Sequence, residues 1–276
     1  MIKQAIIPLA GLGTRLLPLT SVFAKELLPI NGKPGLEYIL EECIEAGIKE
    51  VVFIISKKKM MIKKYFYNDK FYKDIIKKKG DPKIIKEYKK ILKYKKMIKF
   101  VFQDKPLGTG DAVYKTKKFI TDKYFLMLLP DDLIIKKNCS KSMIAVHKKF
   151  KASVMASMKV NKNDVSRWGI YNIKKKIDKN NFIINNVVEK PSIKTSPSNN
   201  AVIGRYILPK SIFSKLKSLK PGKSGEFHIT DAIQALIEDD NLFIGHNFSG
   251  KYLDCGTMKG YIKSTLEISK QWNFAW

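Results

Sequence analysis

Ala5-Ile6-Ile7-Pro8-Leu9-Ala10-Gly11-Leu12-Gly13-Thr14-Arg15-Leu16-Leu17-Pro18, followed by Lys25-Glu26-Leu27-Leu28-Pro29 and Gly32-Lys33-Pro34, decides the fold of this 276-residue chain. Residues 5–9 are a short apolar run that reads as a buried strand. The run passes directly into a loop of small residues that carries one arginine, and a lysine follows at position 25. Gly11 and Gly13 have no Cβ, so backbone N–H groups can come close to a polyphosphate. Arg15 and Lys25 supply the positive charge that a triphosphate requires. The loop lacks the Gly-Lys-Ser/Thr ending of a Walker loop. A nucleoside triphosphate cradle of another kind is expected at the end of the first strand.

Composition sharpens this reading. The chain has 50 Lys and only three Arg, at Arg15, Arg167 and Arg205, with Ile, Asn, Tyr and Phe also abundant. That pattern points to A/T-rich coding, under which lysine replaces arginine wherever a point charge suffices. An arginine that remains marks a place for the planar, forked donor, and all three lie in motif-like segments. The net charge is +28. Its lysines are spread along the chain, as in Lys57-Lys58-Lys59, Lys77-Lys78-Lys79 and Lys174-Lys175-Lys176, and they gather beside no nucleic-acid motif. A solvated basic surface is expected, with no specific nucleic-acid partner. No apolar run reaches 18 residues, so neither a membrane span nor a membrane partner is expected. Cys43, Cys139 and Cys255 are far apart and odd in number, and the start of the chain shows no cleavable signal pattern. Free thiols and a cytoplasmic location follow.

Strand and helix signals alternate. Strands are expected at 5–9, 50–55, 98–103, 124–129, 153–160, 169–173, 183–189, 199–207 and 242–246, with a polar turn at 174–181. Helices are expected at 35–46, 110–119, 142–150, 210–216 and 259–271, and a well-capped one at 230–238. Residues 57–97 read as an exposed, Lys-rich helical insertion broken at Gly80-Asp81-Pro82. The pattern predicts an α/β fold: one Rossmann-like domain over 1–276, with a mixed, mostly parallel central sheet flanked by helices. A C-terminal helix occupies about 258–276.

In open parallel sheets ligands bind where strands end at their carboxyl termini, and three further segments fit such a place. Gln103 precedes Leu107-Gly108-Thr109-Gly110-Asp111, and its amide offers one donor and one acceptor to a pyrimidine edge. Leu128-Leu129-Pro130-Asp131-Asp132 ends a buried strand in carboxylates, which are costly there without a cation. A magnesium ion shared with phosphate oxygens would serve, and a cap on a helix or turn is the rival role. Trp168-Gly169-Ile170-Tyr171 and Val187-Val188-Glu189-Lys190-Pro191 bring a carboxylate for sugar hydroxyls and a lysine for a phosphate. In a regular strand Glu189 and Lys190 would face opposite ways, so a twist or bulge is expected.

In this order and spacing the segments resemble the bacterial UTP–glucose-1-phosphate uridylyltransferases, within the sugar-nucleotide pyrophosphorylases. The resemblance runs from Ile6 to about Tyr261. It continues through Pro197-Ser198-Asn199, Val202-Ile203-Gly204-Arg205-Tyr206, Gly225-Glu226, Thr230-Asp231-Ala232-Ile233 and Tyr252-Leu253-Asp254-Cys255-Gly256. It implies a nucleotidyltransferase domain that joins UTP and glucose 1-phosphate, with Mg²⁺ as cofactor and assembly as a homo-oligomer, a dimer or tetramer. Carried over residue by residue, Arg15, Lys25 and Lys190 would be catalytic. Ala10, Gly11, Gly13, Thr14, Gln103 and Gly108 would bind the nucleotide, and Gly169, Glu189 and Lys190 the sugar phosphate. Asp131 would hold the metal, with Asp254 as a second ligand, and Arg205 would be structural. The family usually has histidine where this chain has Asp111, and nothing functional carries over to 57–97. The alternatives are a same-fold enzyme using dTTP or another sugar 1-phosphate, and a non-catalytic basic relative.

Overall fold

In β4 (Glu50–Ile55) five apolar residues follow the glutamate and all are buried, so this strand has no face for water. Such strands belong in a sheet covered on both sides. The computed structural model describes residues 2–222 and 225–270, and within them it builds that sheet. Its nine strands are β1 (Gln4–Pro8), β4, β5 (Ile98–Phe102), β6 (Tyr124–Leu128), β8 (Ser153–Lys159), β9 (Gly169–Lys176), β10 (Asn181–Glu189), β11 (Asn200–Pro209) and β12 (Phe243–Asn247). Two small ribbons accompany it: β2 (Pro29–Ile30) with β3 (Lys33–Pro34), and β7 (Asp132–Ile135) with β13 (Lys251–Asp254).

The spatial order is β5-β4-β1-β6-β11-β8-β12-β10-β9, and β9 also touches β11. Pairing directions give seven strands one sense, while β10 and β11 run the other way. The sheet is therefore mixed, as expected, although its pairings are four parallel and five antiparallel, because both reversed strands lie inside it. Strand alternation divides the core. Ile7 and Phe53 enter one cluster, with helices Gly35–Glu45, Met60–Tyr67, Pro82–Met97 and Cys139–Phe150. Ile6 and Val52 enter the other, with helices Thr109–Lys115, Ile212–Ser218 and Ile229–Glu238.

The insertion breaks where expected. Gly80 (φ 62°) ends helix Asp69–Lys79, and Asp81 caps Pro82–Met97 through Lys83 N–H at 2.7 Å, a left-handed stop followed by a capped, proline-led start. It is not wholly exposed, however. Phe66 is fully buried against Phe53 and Tyr94, and Lys59 is buried too. Burying a ring such as Phe66 contributes about 1.5–3 kcal/mol, so the insertion is anchored. Two local expectations change. Strand β9 continues to Lys176, and the turn is shorter because Asp178 accepts from the backbone N–H groups of Asn180 and Asn181. Helix Ile229–Glu238 has no side-chain cap of its own; Ile229 N–H donates instead to Thr109 Oγ1 at 3.2 Å. The last helix is Met258–Ser269, and the rest of the expected stretch, 271–276, lies outside the described residues.

Candidate active site

Loops leaving β1, β5 and β6 enclose a cavity of about 580 Å³. Ala10, Gly11, Gly13, Thr14, Arg15 and Lys25 line one wall, and Gln103, Gly108 and Asp131 complete it. Gly13 has φ 73°, and a Cβ there would lie 3.3 Å from Lys25 Cδ. Its carbonyl accepts from Thr20 Oγ1 at 2.9 Å, which holds the loop in shape. Lys25 Nζ sits 2.5 Å from both Asp131 oxygens, and the more exposed Arg15 lies 3.6 Å from Asp131 Oδ2. One carboxylate thus stands between two cations, all three at the cavity.

Behind this trio lies a buried pair. Lys59 Nζ donates to Glu26 at 2.7 and 2.8 Å. Burial pushes the Glu26 carboxyl up and the Lys59 ammonium down, and each partner's charge pulls the other way. Asp132 has a different task from Asp131. It accepts from Tyr252 Oη at 2.6 Å and from Gly204 N–H at 2.8 Å, and burial raises its pKa. Gly204 is required there, because a Cβ would meet Asp132 Oδ2 at 2.4 Å. Its neighbour Arg205 is wholly buried, forking onto Glu42 and donating to the carbonyls of Leu129, Gly204 and Asp132. It stitches helix Gly35–Glu45 to β11 and to the Asp131 turn.

On the far wall Gly108 has φ 95°, and a Cβ would meet Phe227 O at 2.5 Å. The two loops are tied by Phe227 N–H to Leu107 O at 2.8 Å and Gly110 N–H to Phe227 O at 2.7 Å. Gln103 has its NH₂ turned away to Asp111 and Gly108, so the amide does not offer its donor freely as expected.

Gly169, Glu189 and Lys190 come together outside this cavity. Gly169 pairs with Glu189 across β9 and β10, and a Cβ on it would lie 3.1 Å from Glu189 Oε2. Lys190 has φ 45°, so the chain turns after Glu189, and their charged ends lie 3.6 Å apart. That left-handed residue resolves the strict alternation of a strand. Asp254 also lies off the cavity lining. Its Oδ1 accepts from Gly256 N–H at 2.8 Å and its Oδ2 from Thr257 Oγ1 at 3.1 Å. Arg167 is exposed, 3.5 Å from Asp164.

The profile of the Nucleotidyl transferase family matches residues 4–271. The chain belongs to the nucleotidyl transferase family. UTP–glucose-1-phosphate uridylyltransferase 2 of Staphylococcus saprophyticus is 36% identical over 269 residues, covering 97% of this chain and 92% of that protein. A solved UDP-glucose pyrophosphorylase complexed with UDP-glucose superposes with a TM-score of 0.86 at 33% identity, covering 99% of this chain and all of the other. The UTP-bound enzyme of Acinetobacter baumannii superposes at 0.89 with 30% identity, covering 99% of this chain and 95% of that one.

Within this nucleotidyl transferase, sequence reasoning missed how several neighbours take part. Glu26 and Asp132 line the cavity, as do Thr109 and Glu226. Glu26 follows a predicted residue directly, which is the signal that could have found it. Asp132 stands in the carboxylate pair of Leu128-Leu129-Pro130-Asp131-Asp132, and its bonds to Gly204 and Tyr252 give it the structural role that is the rival reading there. Lys59 had none, because its partner lies 33 residues away in the chain.

Proposed function

We propose that this nucleotidyl transferase moves the uridylyl group of UTP to glucose 1-phosphate, giving UDP-glucose and pyrophosphate. The observation that carries the proposal is Asp131 held between Lys25 and Arg15 at a glycine-walled cavity. A sugar-phosphate oxygen, already an anion, attacks the α-phosphorus in line, so no protein nucleophile is needed. The protein's share is positioning and charge neutralisation. Arg15 and Lys25 take charge from the leaving pyrophosphate, and Lys190 holds the incoming phosphate beside Glu189 and Gly169.

Asp131 fits a hard divalent ion such as Mg²⁺. Its oxygens reach the cavity, and no group of three or more His, Cys, Asp or Glu among the described residues could hold a metal unaided. That donor set suits an ion whose coordination is completed by phosphate and water. Such an ion would supply charge neutralisation at the phosphates, and Lys25, now paired with Asp131, would then be free to hold phosphate oxygens. Asp254 would serve as a second ligand by releasing the Thr257 hydroxyl, the longer of its two contacts.

No described helix is long and apolar enough to cross a membrane. The three free thiols, two of them buried, support a cytoplasmic setting. Exposed Val22, Phe23, Ile262 and Leu266 support assembly as a homo-oligomer, which light scattering would test. The activity is tested by pyrophosphate release from UTP, glucose 1-phosphate and Mg²⁺, with dTTP and EDTA controls. Release that needs all three and prefers UTP is expected. A preference for dTTP would move the specificity, and no release from folded protein would sink the proposal.

A further inference from the structure

Gln103 is almost wholly buried in the cavity wall. Its Nε2 donates to Asp111 Oδ2 at 2.7 Å and to the Gly108 carbonyl at 3.1 Å. At neutral pH a carboxylate and a carbonyl only accept. Both partners therefore demand the NH₂ edge of the amide, and chemistry alone fixes which way the group is turned. Its two protons are committed, and Oε1 is left on the opposite edge with its acceptor capacity. Asp111 is itself held in place: Lys115, one turn further along helix Thr109–Lys115, lies 3.7 Å from its other oxygen.

We propose that Asp111 is a positioning residue for base selection, locking the Gln103 amide so that an acceptor meets the nucleobase. A base with N–H at ring position 3, such as uracil, donates to Oε1. Cytosine carries a lone pair at that position, and two acceptors would face each other. Rotating the amide to suit cytosine would turn Oε1 onto the Asp111 carboxylate. Selection against cytosine thus comes from a residue that need not touch the base. The inference rests on the UTP reading above and adds to it the group that enforces the choice.

The test compares kcat/KM for UTP and CTP in the wild type, Asp111→Leu and Asp111→Asn, together with KM for glucose 1-phosphate. Leucine keeps the bulk and removes the acceptor, and asparagine can still offer Gln103 an oxygen. The UTP:CTP ratio should fall about tenfold or more in Asp111→Leu, the weight of one misdirected hydrogen bond. It should stay closer to the wild type in Asp111→Asn, with KM for glucose 1-phosphate unchanged in both. An unchanged ratio in Asp111→Leu, or equal losses with UTP and CTP, would overturn the proposal. If leucine prevents folding, Asp111→Ser, too short to reach Nε2, replaces it under the same criterion. Calorimetric binding of UDP and CDP to the same proteins reads base choice without turnover. A wild type that prefers UDP but makes no UDP-glucose would sink the reaction and leave the selection standing; a wild type with no such preference would sink the selection.

Discussion

Asparagine in place of Asp131 would keep the shape of the side chain and remove one negative charge from between Lys25 and Arg15. Asp131→Asn should lower kcat on the order of 10²–10³-fold, as loss of other fixed electrostatic groups does, with the fold intact by circular dichroism. Full, magnesium-dependent turnover by that variant would reject the metal assignment. Lys190 is exposed beside Glu189 and contributes little to the fold. Lys190→Ala should therefore raise KM for glucose 1-phosphate and leave KM for UTP alone. Unaltered sugar-phosphate kinetics would remove Lys190 from the site. Rarity of arginine found one buried forked donor among the three residues. Arg205 uses its whole fork in the interior, Arg15 faces the cavity, and Arg167 lies at the surface.

Elements meet through contacts that a linear reading cannot place. Lys59 opens the Lys-rich insertion and yet is buried on Glu26, next to the residue that holds Asp131. Lys59→Met should cost about 3–5 kcal/mol, because removing one partner strands a buried charge; the urea midpoint would measure it. A loss of only a few tenths would mean that Glu26 takes up a proton and tolerates its isolation. Gly108→Ala faces both a left-handed backbone and Phe227 O at 2.5 Å, so the two tied loops must part. A cost of about 1–3 kcal/mol and a raised KM for UTP are expected, and unchanged values for both would show that the loops yield freely. The apolar runs of β1, β4 and β6 were legible because burial on both faces leaves an uninterrupted hydrophobic signature. The Thr109 cap on Ile229 and the Asp111–Gln103 bond were not, since each depends on tertiary approach or side-chain rotation that residue types alone do not encode.

Across the whole molecule the charge of +28 is carried mostly by dispersed lysines. Duplex DNA should be held weakly and without sequence preference, and released between about 50 and 200 mM salt. Retention by one sequence well above that range, in a column or filter assay, would contradict a merely solvated surface. The sheet's strand senses were legible only in outline. Alternating elements predict a largely parallel sheet, whereas the reversal of β10 and β11 depends on which edges each strand finds. The expected site residues fall into two groups on this sheet. Loops from β1, β5 and β6 build the cavity around Asp131, and β9 with β10 present Gly169, Glu189 and Lys190. Strand β11 joins the two halves, with Gly204 bonded to Asp132 and Val202 packed beside Gly169. Under the proposed reading each half recognises one substrate, so mutations in the two recognition surfaces combine with little epistasis. Such a chain can drift towards a new sugar while its choice of nucleotide is inherited intact.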